Sequence, residues 1–311
     1  MKSRTESIFN KVAHELINRK KAKKHGSGIT VLYNNINGYA SKKDSLNNIL
    51  QVQKPDIVCL CETKLGEMET CNLVGYEGVA NNYKRGKEGL AVAARIGAFL
   101  SVEKVSENLE NIFCVRITYP ELILRMIVCH GPQEDDESEI RRNFFDNLAV
   151  EIECSRVAGE TPIVVGDMNA KISLENGGIV AESFNGKFFK EMVEVSEMNV
   201  ANFHENAIGK WTRIQNSKKK GTVKSVLDYI LTDDQMNSLI TEVLIDEEKY
   251  STPFRVTKSK KANKITYTDH CSMFMTLNCS TDTSSHLPVN RKFGTSLTKG
   301  MSGSKKQLPR K

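Results

Sequence analysis

Short apolar runs separated by polar turns dominate the chain from Gly28 onward. The runs are rich in β-branched residues and too short for most helices, so they predict buried strands. The predicted strands lie at residues 29–36, 56–62, 89–96, 112–119, 122–131, 162–167, 225–232 and 270–277. The runs lack strict alternation between apolar and polar positions, which indicates strands that are buried on both faces.

Helical periodicity is clearest in three segments, at residues 45–53, 139–156 and 187–198. In the second segment apolar residues recur every four positions and predict one buried face, made of Ile140, Phe144, Leu148 and Ile152. A further short helix is predicted at 8–24, with one apolar side made of Ile8, Val12, Leu16 and Ile17. Its basic end, at 19–24, is better explained as a solvated segment than as a nuclear-import signal.

Strands interspersed with helices predict an α/β fold whose two sheets pack together and carry helices on their outer faces. Beyond Cys279 the chain becomes rich in Ser, Thr, Gly and Lys, a composition typical of disorder. We therefore predict a basic N-terminal extension at 1–27, one folded domain at 28–279, and a disordered basic tail or linker at 280–311.

Composition is ordinary for a globular protein, with 39% hydrophobic and 26% charged residues. No apolar run approaches the ~20 residues that span a bilayer, and the first residues lack the apolar core of a secretory signal. Residues 1–26 and 280–311 each carry a net charge of +6, which is also the net charge of the whole chain. The segment between them is therefore acidic, with a net charge of −6, and nucleic-acid binding would need local basic patches.

The eight cysteines favour a structural explanation. They show no C-x-x-C spacing, and most lie inside apolar runs such as IVCLCE and LRMIVCH. Buried free thiols in a reducing compartment are the expected state, in preference to disulfides or a zinc site.

Polar residues recur at the ends of the predicted strands, where α/β folds gather catalytic groups. Taken singly, a strand-terminal Asp or Asn is more often a turn former. Asp228 is harder to explain in that way, because a carboxylate inside an apolar strand is costly unless it is paired or bound to a metal. The candidate residues are Asn35, Asn37, Glu62, Asp167, Asn169, Asp228, Asp269 and His270.

The local sequence around these residues resembles that of the exonuclease III-like branch of the endonuclease/exonuclease/phosphatase superfamily. Five motif blocks carry the resemblance in the family's order: N-I-N-G (35–38), C-L-C-E-T-K (59–64), G-D-M-N-A (166–170), L-D-Y-I-L (227–231) and T-D-H-C-S (268–272). The resemblance implies a DNase I-like four-layer α/β sandwich, in which two packed mixed sheets are flanked by helices. It also implies a metal-dependent phosphodiesterase whose active site lies at one edge of the sandwich.

A metal site is part of what the resemblance implies. By similarity, Glu62 is the principal ligand of Mg²⁺, with Mn²⁺ as an alternative, and Asn37 lies beside the metal. Asp269 is expected near the metal or the leaving group. Mg²⁺ is a hard cation that prefers carboxylate oxygen, so these residue types suit it.

The remaining catalytic roles follow from the same resemblance. Asp167 is expected to orient or deprotonate the attacking water, while Asn169 holds the phosphate or that water and Asn35 helps to position the site. His270 is expected to donate to a phosphate oxygen, with Asp228 orienting it and favouring its charged form. The expected cut leaves 3′-hydroxyl and 5′-phosphate ends.

Three positions depart from the repair enzymes of the family. Those enzymes usually have tyrosine and asparagine, which contact the phosphate, where this chain has His130 and Gln133. Both residues here still donate hydrogen bonds, so activity is expected, whereas the rate and its pH dependence are left open. Asn37 replaces the usual Asp, and N-I-N-G is similar to the endonuclease domains of non-LTR (LINE-type) retrotransposons.

Local basic loops are the candidates for DNA binding. In retrotransposon endonucleases the region corresponding to 216–224 looks like a β-hairpin that probes the DNA groove, and here it carries Lys218, Lys219 and Lys220. Arg213 and Trp211 precede it, although a single Trp more often packs in or beside a core. The basic loops at 84–87 and 258–261 suit phosphate contacts and solvation equally well.

These features favour a nicking endonuclease of the LINE type, acting on double-stranded DNA so that the new 3′-hydroxyl primes reverse transcription. The tail would then lead toward a reverse transcriptase, and an intracellular location, nuclear in a eukaryote, is expected. The alternatives are an abasic-site repair endonuclease, a phosphatase of the same fold, and a degenerate module that only binds nucleic acid or protein.

Overall fold

The computed structural model describes residues 28–82, 86–105, 109, 111–217, 221–257 and 264–279. The first half contains β1 (Ile29–Asn35), α1 (Lys43–Gln53), β2 (Ile57–Cys61), β3 (Tyr76–Asn81), β4 (Leu90–Arg95), β5 (Ser101–Lys104), β6 (Ile112–Thr118), β7 (Ile123–His130), α2 (Ser138–Val157) and β8 (Thr161–Asp167). The second half contains β9 (Ile172–Glu175), β10 (Gly178–Ala181), α3 (Phe184–Val195), β11 (Asn199–Val200), β12 (Ala207–Ile208), β13 (Arg213–Ser217), β14 (Gly221–Ser225), β15 (Asp228–Thr232), α4 (Asp234–Ser238), β16 (Ile240–Ile245), β17 (Phe254–Thr257), β18 (Lys264–Tyr267) and β19 (Met273–Leu277).

Two mixed sheets hold most of these strands. The first has the order β12-β16-β19-β1-β2-β4-β3, and the second has the order β11-β15-β8-β7-β6-β5. Three hairpins stand apart from both sheets and pair β9 with β10, β13 with β14, and β17 with β18. Each large sheet contains one βαβ unit, because β1 pairs with β2 and β7 with β8 in parallel.

Three apolar clusters divide the sandwich into four layers. The cluster between the sheets contains Tyr33, Phe113, Val165, Ile230 and Met275. A second cluster packs α2 and α3 on the outer face of the second sheet, and a third packs α1 on the outer face of the first. Successive residues of β1 serve opposite faces, since Tyr33 lies in the inner cluster and Leu32 in the outer one. The predicted four-layer α/β sandwich is confirmed.

The predicted strands are all present, but two of them begin later than the apolar pattern indicated. The run at 225–232 is divided: β14 ends at Ser225 and β15 begins at Asp228, because the Thr212 hydroxyl accepts the N–H groups of Leu227 and Asp228 between them. The run at 270–277 forms β19 only from Met273, and His270 makes an isolated bridge to Arg213. Both departures occur next to residues of the candidate site, Asp228 and His270.

Helix boundaries also shift. Ser183 caps α3 by accepting the N–H of Gly186 at 3.0 Å, so the helix begins three residues earlier than predicted. In α2 the prediction for Ile140 is wrong, because its side chain is 51% exposed. A four-residue step overshoots the helical turn, so Ile140 is rotated about 90° from the centre of the face formed by Phe144, Phe145, Leu148, Ile152 and Ser155.

All eight cysteines are free thiols, as predicted, and five of them are buried. Cys154 is exposed, while Cys71 and Cys279 are partly exposed. Among the helices that the structure describes, none is long and apolar enough to cross a membrane. The predicted helix at 8–24 and the tail at 280–311 lie outside the described residues.

Candidate active site

Polar side chains occupy the carboxyl ends of the parallel strands in both βαβ units. Asn35 ends β1 and Glu62 directly follows β2. In the second sheet His130 ends β7 and Asp167 ends β8, and the two are paired in register. Asp228 begins the antiparallel strand β15 directly opposite Asp167. The two βαβ units therefore bring their strand ends to one edge of the sandwich.

The Asn35 side-chain amide connects the two sheets at this edge. Its Nδ2 donates to Glu62 Oε1 at 2.9 Å and to Asp167 Oδ2 at 3.1 Å. The side chain of Asn35 is fully buried, and its backbone carbonyl accepts the Thr268 hydroxyl at 2.9 Å. Glu62 and Asp167 are thereby held at a set distance by one rigid amide, which uses both of its donor hydrogens.

The turns after β1 and β8 have the same local geometry. Asn35 Oδ1 accepts the N–H of Asn37 at 3.2 Å, and Asp167 Oδ1 accepts the N–H of Asn169 at 3.1 Å. Asn37 and Asn169 both have φ of +45°, and Glu62 has φ of +52°. The left-handed region costs roughly 1–2 kcal/mol for a residue such as Glu. Strain of this kind concentrates at functional sites.

Asp228 and His270 form a buried ion pair. His270 Nδ1 lies 2.8 Å from Asp228 Oδ2, and the Tyr33 hydroxyl donates to Asp228 Oδ1 at 2.9 Å. Burial alone would lower the pKa of His270, but the charges of Asp228 and Asp167 outweigh it and raise that pKa to about 9. His270 is therefore charged at neutral pH and directs its other nitrogen at the centre of the site.

Asp167 lies at the centre of the cluster. Its Oδ2 is 3.7 Å from His270 Nε2, so the ring bridges Asp167 and Asp228. Burial, together with the charge of Asp228, raises the pKa of Asp167 although His270 and His130 act in the opposite direction. The second histidine of the site, His130, has its Nε2 3.9 Å from Glu62 Oε1. A buried carboxylate with a raised pKa is suited to accept a proton.

A lysine ammonium lies between two of the predicted metal ligands. Lys64 Nζ is 2.6 Å from Asn37 Oδ1 and 2.9 Å from Glu62 Oε2. Burial would raise the pKa of Glu62, yet hydrogen bonds from Asn35 and Lys64 outweigh it and lower that pKa. Lys42 donates to the backbone carbonyl of Asn37 at 2.6 Å, and burial lowers its pKa to about 8.

Asp269 faces the hairpin of β13 and β14. Its Oδ2 accepts Arg213 Nε at 2.8 Å, and its backbone carbonyl accepts the N–H of Ile214 at 2.8 Å. Burial would raise the pKa of Asp269, but the charge of His270 and the bond from Arg213 lower it. Asp269 thus joins the site to the predicted hairpin, which the structure contains.

The other predicted contact residues lie around the rim. Trp211 is partly exposed, with Lys210 Nζ 4.8 Å from its ring centroid. Gln133 is exposed, and its N–H donates to Asp136 at 2.6 Å. The side-chain amide of Asn169 donates to the Gly131 carbonyl at 2.8 Å. The remaining predicted contacts lie outside the described residues, namely Lys218, Lys219, Lys220, Lys84, Arg85, Lys258 and the rest of the loop to 261.

Several site residues escaped the sequence-based prediction. Tyr33 lies in an apolar strand and has no local signal that separates it from the core. Lys64 belongs to the C-L-C-E-T-K block, and its place in that motif was the available signal. Asn185 is fully buried and donates to the carbonyls of Pro132 at 2.8 Å and Asn169 at 3.0 Å, thereby joining the two loops that follow β7 and β8.

The donor set fits a hard divalent cation. Glu62 and Asn37 offer a carboxylate and an amide oxygen, and Lys64 already places a positive charge against both. The ligand atoms of Glu62, His130 and Asp167 lie within 4.8 Å of one another, as do those of Asp167, Asp228 and His270. Oxygen-rich, acidic surroundings of this kind suit Mg²⁺ or Mn²⁺.

A two-sheet sandwich with carboxylates, amides and a charged histidine at one edge has the DNase I-like fold and the side chains of a hydrolase. The model of the endonuclease/exonuclease/phosphatase family matches residues 35–270. The chain belongs to this family. Comparison with curated proteins finds no match.

Solved structures share the fold at low sequence identity. The endonuclease domain of TRAS1, a telomere-specific non-LTR retrotransposon, is 15% identical with a TM-score of 0.57, and the match covers 81% of this chain and 99% of that one. A 3′–5′ exonuclease from Neisseria meningitidis is 15% identical with a TM-score of 0.62, and an AP endonuclease from Archaeoglobus fulgidus is 17% identical with a TM-score of 0.61. Each of these two matches covers 81% of this chain and the whole of the other.

Proposed function

We propose that this protein is a divalent-metal-dependent DNA endonuclease that hydrolyses a phosphodiester to 3′-hydroxyl and 5′-phosphate ends. The observation that carries the proposal is the Asn35 amide, which holds Glu62 from one βαβ unit against Asp167 from the other. His270, which is paired with Asp228, lies 3.7 Å from the same Asp167 oxygen that accepts the Asn35 amide. A cation site, a proton acceptor and a charged donor thus surround one point.

Each side chain has a role that matches its environment. Asp167, with its raised pKa, takes the proton of the attacking water, and Asn169 holds that water or the phosphate. His270 is charged and donates to a phosphate oxygen, while Asp228 fixes its orientation and charge. Asp269 acts near the leaving oxygen.

The metal would be held by Glu62 and Asn37, with Asp269 nearby, and when bound it supplies neutralisation of the phosphate charge. Asn35 keeps the Glu62 carboxylate in place through its bond to Oε1. His130 stands where repair enzymes of the family usually carry tyrosine, and it lies 3.9 Å from Glu62. Its imidazole donates a hydrogen bond to the phosphate.

The preferred substrate is intact double-stranded DNA, nicked so that the 3′-hydroxyl primes reverse transcription. Asn37 in the N-I-N-G block and the β13–β14 hairpin beside Asp269 support this reading. The fold shared with the TRAS1 endonuclease domain is compatible with it. In this reading Lys218, Lys219 and Lys220 contact DNA phosphates. A reverse transcriptase is the partner, and the protein works inside the cell, in a eukaryote in its nucleus.

The test is cleavage of supercoiled plasmid by the full chain with Mg²⁺, with EDTA, and with Asp167→Asn or His270→Gln. We expect Mg²⁺-dependent nicks that a polymerase can extend, and a loss of at least ~100-fold in either variant. Asp146→Asn, an exposed carboxylate on α2, is the matched control and should be as active as the wild type. Unchanged nicking by both site variants would contradict the assignment.

Substrate class is decided by a second comparison. The same plasmid with and without abasic lesions separates the two nuclease readings, because a repair endonuclease cuts only at the lesion. Preferential nicking of intact, AT-rich segments supports the retrotransposon reading. Release of phosphate from small phosphoesters without nicking would assign a phosphatase, and DNA binding without any hydrolysis would assign a binding module.

A further inference from the structure

A lysine ammonium contacts the backbone of the segment that carries Asp269 and His270. Lys249 Nζ lies 3.0 Å from the carbonyl oxygen of Thr268, 2.9 Å from that of Asp269 and 2.7 Å from that of His270. An ammonium group has three hydrogens, so the geometry uses every donor on three consecutive carbonyls. Charge-assisted bonds of this kind are stronger than bonds between neutral groups.

The contacted segment lies between regular strands. β18 ends at Tyr267 and β19 begins at Met273, so residues 268–272 lack a continuous ladder on either side. On one flank the N–H of Ile214 donates to the Asp269 carbonyl and that of Cys271 donates to the Thr212 carbonyl. Residues 246–253 supply further bonds at the two ends of the segment, where the N–H of Thr268 donates to the Pro253 carbonyl and that of Asp246 donates to the Ser272 carbonyl. Between these ends, Lys249 contacts the carbonyls of residues 268–270.

The turn that presents Lys249 is itself firmly held. The buried Asp246 carboxylate accepts the N–H groups of Tyr250 at 3.1 Å and Ser251 at 2.6 Å, and the Thr252 hydroxyl at 3.0 Å. Lys249 adopts φ of +60°, a conformation that is unfavourable for lysine. The turn therefore bears a conformational cost while it places the ammonium at the three carbonyls.

We propose that Lys249 is a positioning residue that holds the backbone of residues 268–270 and thereby sets the orientation of the His270 ring. The ring has little freedom once this backbone is held, because Asp228 binds Nδ1 at 2.8 Å and Asp167 lies 3.7 Å from Nε2. A misplacement of about 1 Å at a catalytic group can cost about 100-fold in rate. The effect on turnover rests on the proposed nuclease function, whereas the effect on the ring does not.

The experiment compares Lys249→Met with the wild type in two measurements. The first is the downfield imidazole N–H resonance of His270, which reports its hydrogen bond to Asp228 in the metal-free protein. The second is plasmid nicking at saturating Mg²⁺. We expect the resonance to shift or disappear and kcat to fall at least ~10-fold with little change in KM, since the rim that binds DNA is untouched.

Two further variants complete the design. Lys54→Met removes an exposed lysine that also has left-handed backbone (φ of +47°), and it should leave both measurements unchanged. Lys249→Gln keeps two donor hydrogens and should retain part of the resonance and of kcat. If Lys249→Met does not fold, Lys249→Gln is judged by the same two measurements.

The outcomes separate this inference from the proposed function. A folded Lys249 variant with the wild-type resonance and the wild-type kcat would overturn the positioning role. A loss of activity that only follows the unfolded fraction would overturn it as well. If the wild type nicks no DNA, the proposed function fails, and the resonance alone still decides whether Lys249 orients His270.

Discussion

Replacing Asp228 with asparagine should return the protonation of His270 to the range of an ordinary histidine. The substitution keeps the size of the side chain and removes its charge from a fully buried position 2.8 Å from the imidazole. The charge of Asp228 is the largest of the effects that raise the pKa of His270, and Asp167 is the next. Burial acts in the opposite direction and remains in the variant.

The magnitude follows from the raised pKa. A rise from 6.5 to about 9 corresponds to about 3 kcal/mol in favour of the charged imidazole. If the variant returns to about 6.5, its charged fraction at pH 8 falls from about nine-tenths to about 3%, a change of about 30-fold. At pH 6 the two proteins differ by less than about 1.5-fold in this fraction. The defect in the variant should therefore be strongly pH-dependent.

Two assays measure this change. NMR titration of the His270 ring gives the pKa directly, and the pH–rate profile of plasmid nicking gives its alkaline limb, expected near pH 9 in the wild type and near neutrality in Asp228→Asn. The free energy of unfolding should depend on pH in the same sense. Because the pKa of His270 is raised in the folded state, its charged form stabilises the fold fully below pH 6.5, and this contribution is lost as the pH rises through about 9. The variant should lack that loss.

The matched control is Tyr33→Phe. It deletes another hydrogen bond to the Asp228 carboxylate, of 2.9 Å, in the same buried network and keeps the charge. Its alkaline limb should therefore stay at or above the wild-type position. An Asp228→Asn protein whose His270 still titrates near pH 9 would refute the reasoning, and so would a Tyr33→Phe protein with the same shift as Asp228→Asn.

Three further substitutions test the electrostatics and packing of the fold. Lys64→Met removes the charge that competes with a metal for the side-chain oxygens of Asn37 and Glu62. Mn²⁺ should therefore bind up to ~5-fold more tightly in an EPR titration, which is equivalent to about 1 kcal/mol for a partly exposed ion pair. Equal or weaker binding would contradict this. Gly186→Ala places a Cβ 2.2 Å from a backbone carbonyl oxygen and should cost about 2 kcal/mol in urea denaturation, whereas Gly178→Ala, with 3.8 Å of clearance, serves as the control. Glu160→Gln leaves the buried Arg125 guanidinium without its counter-charge and should lower the free energy of unfolding by about 3 kcal/mol at pH 7. The pKa of Glu160 is lowered in the folded protein, so its stabilising contribution is lost as the carboxylate is protonated, and the difference should be smaller at acidic pH. An undiminished difference at low pH would argue against the ion pair.

The sequence alone indicated the longer buried strands and the polar residues that close several of them. Continuous apolar runs predicted eight strands, because strands buried between a sheet and a helix layer have no polar face. Polar residues that close such runs, Asn35, Glu62 and Asp167 among them, were identifiable because α/β folds gather catalytic groups at strand ends. The cost of a carboxylate inside an apolar strand singled out Asp228. The motif order then indicated the four-layer sandwich that the structure contains.

The strand pairing was decided only by the tertiary structure. The short strands β3, β17 and β18 carry too few apolar residues to stand out from loops. The pairing of other strands depends on partners that are distant in the chain, as with β1 and β19. Local periodicity reports which face of a segment is apolar, and it contains no information about which other segment covers that face.

The same limit applied to the site. Tyr33 and Asp228 are 195 positions apart and meet in one hydrogen bond, and Asn35 reaches Asp167 across 132 positions. Lys249, which in the sequence is one charged residue in a polar turn, contacts three carbonyls about 20 positions away. Such contacts arise from the order of strands in two packed sheets, because only that order sets which side chains share a buried, low-dielectric space and how strongly their charges interact.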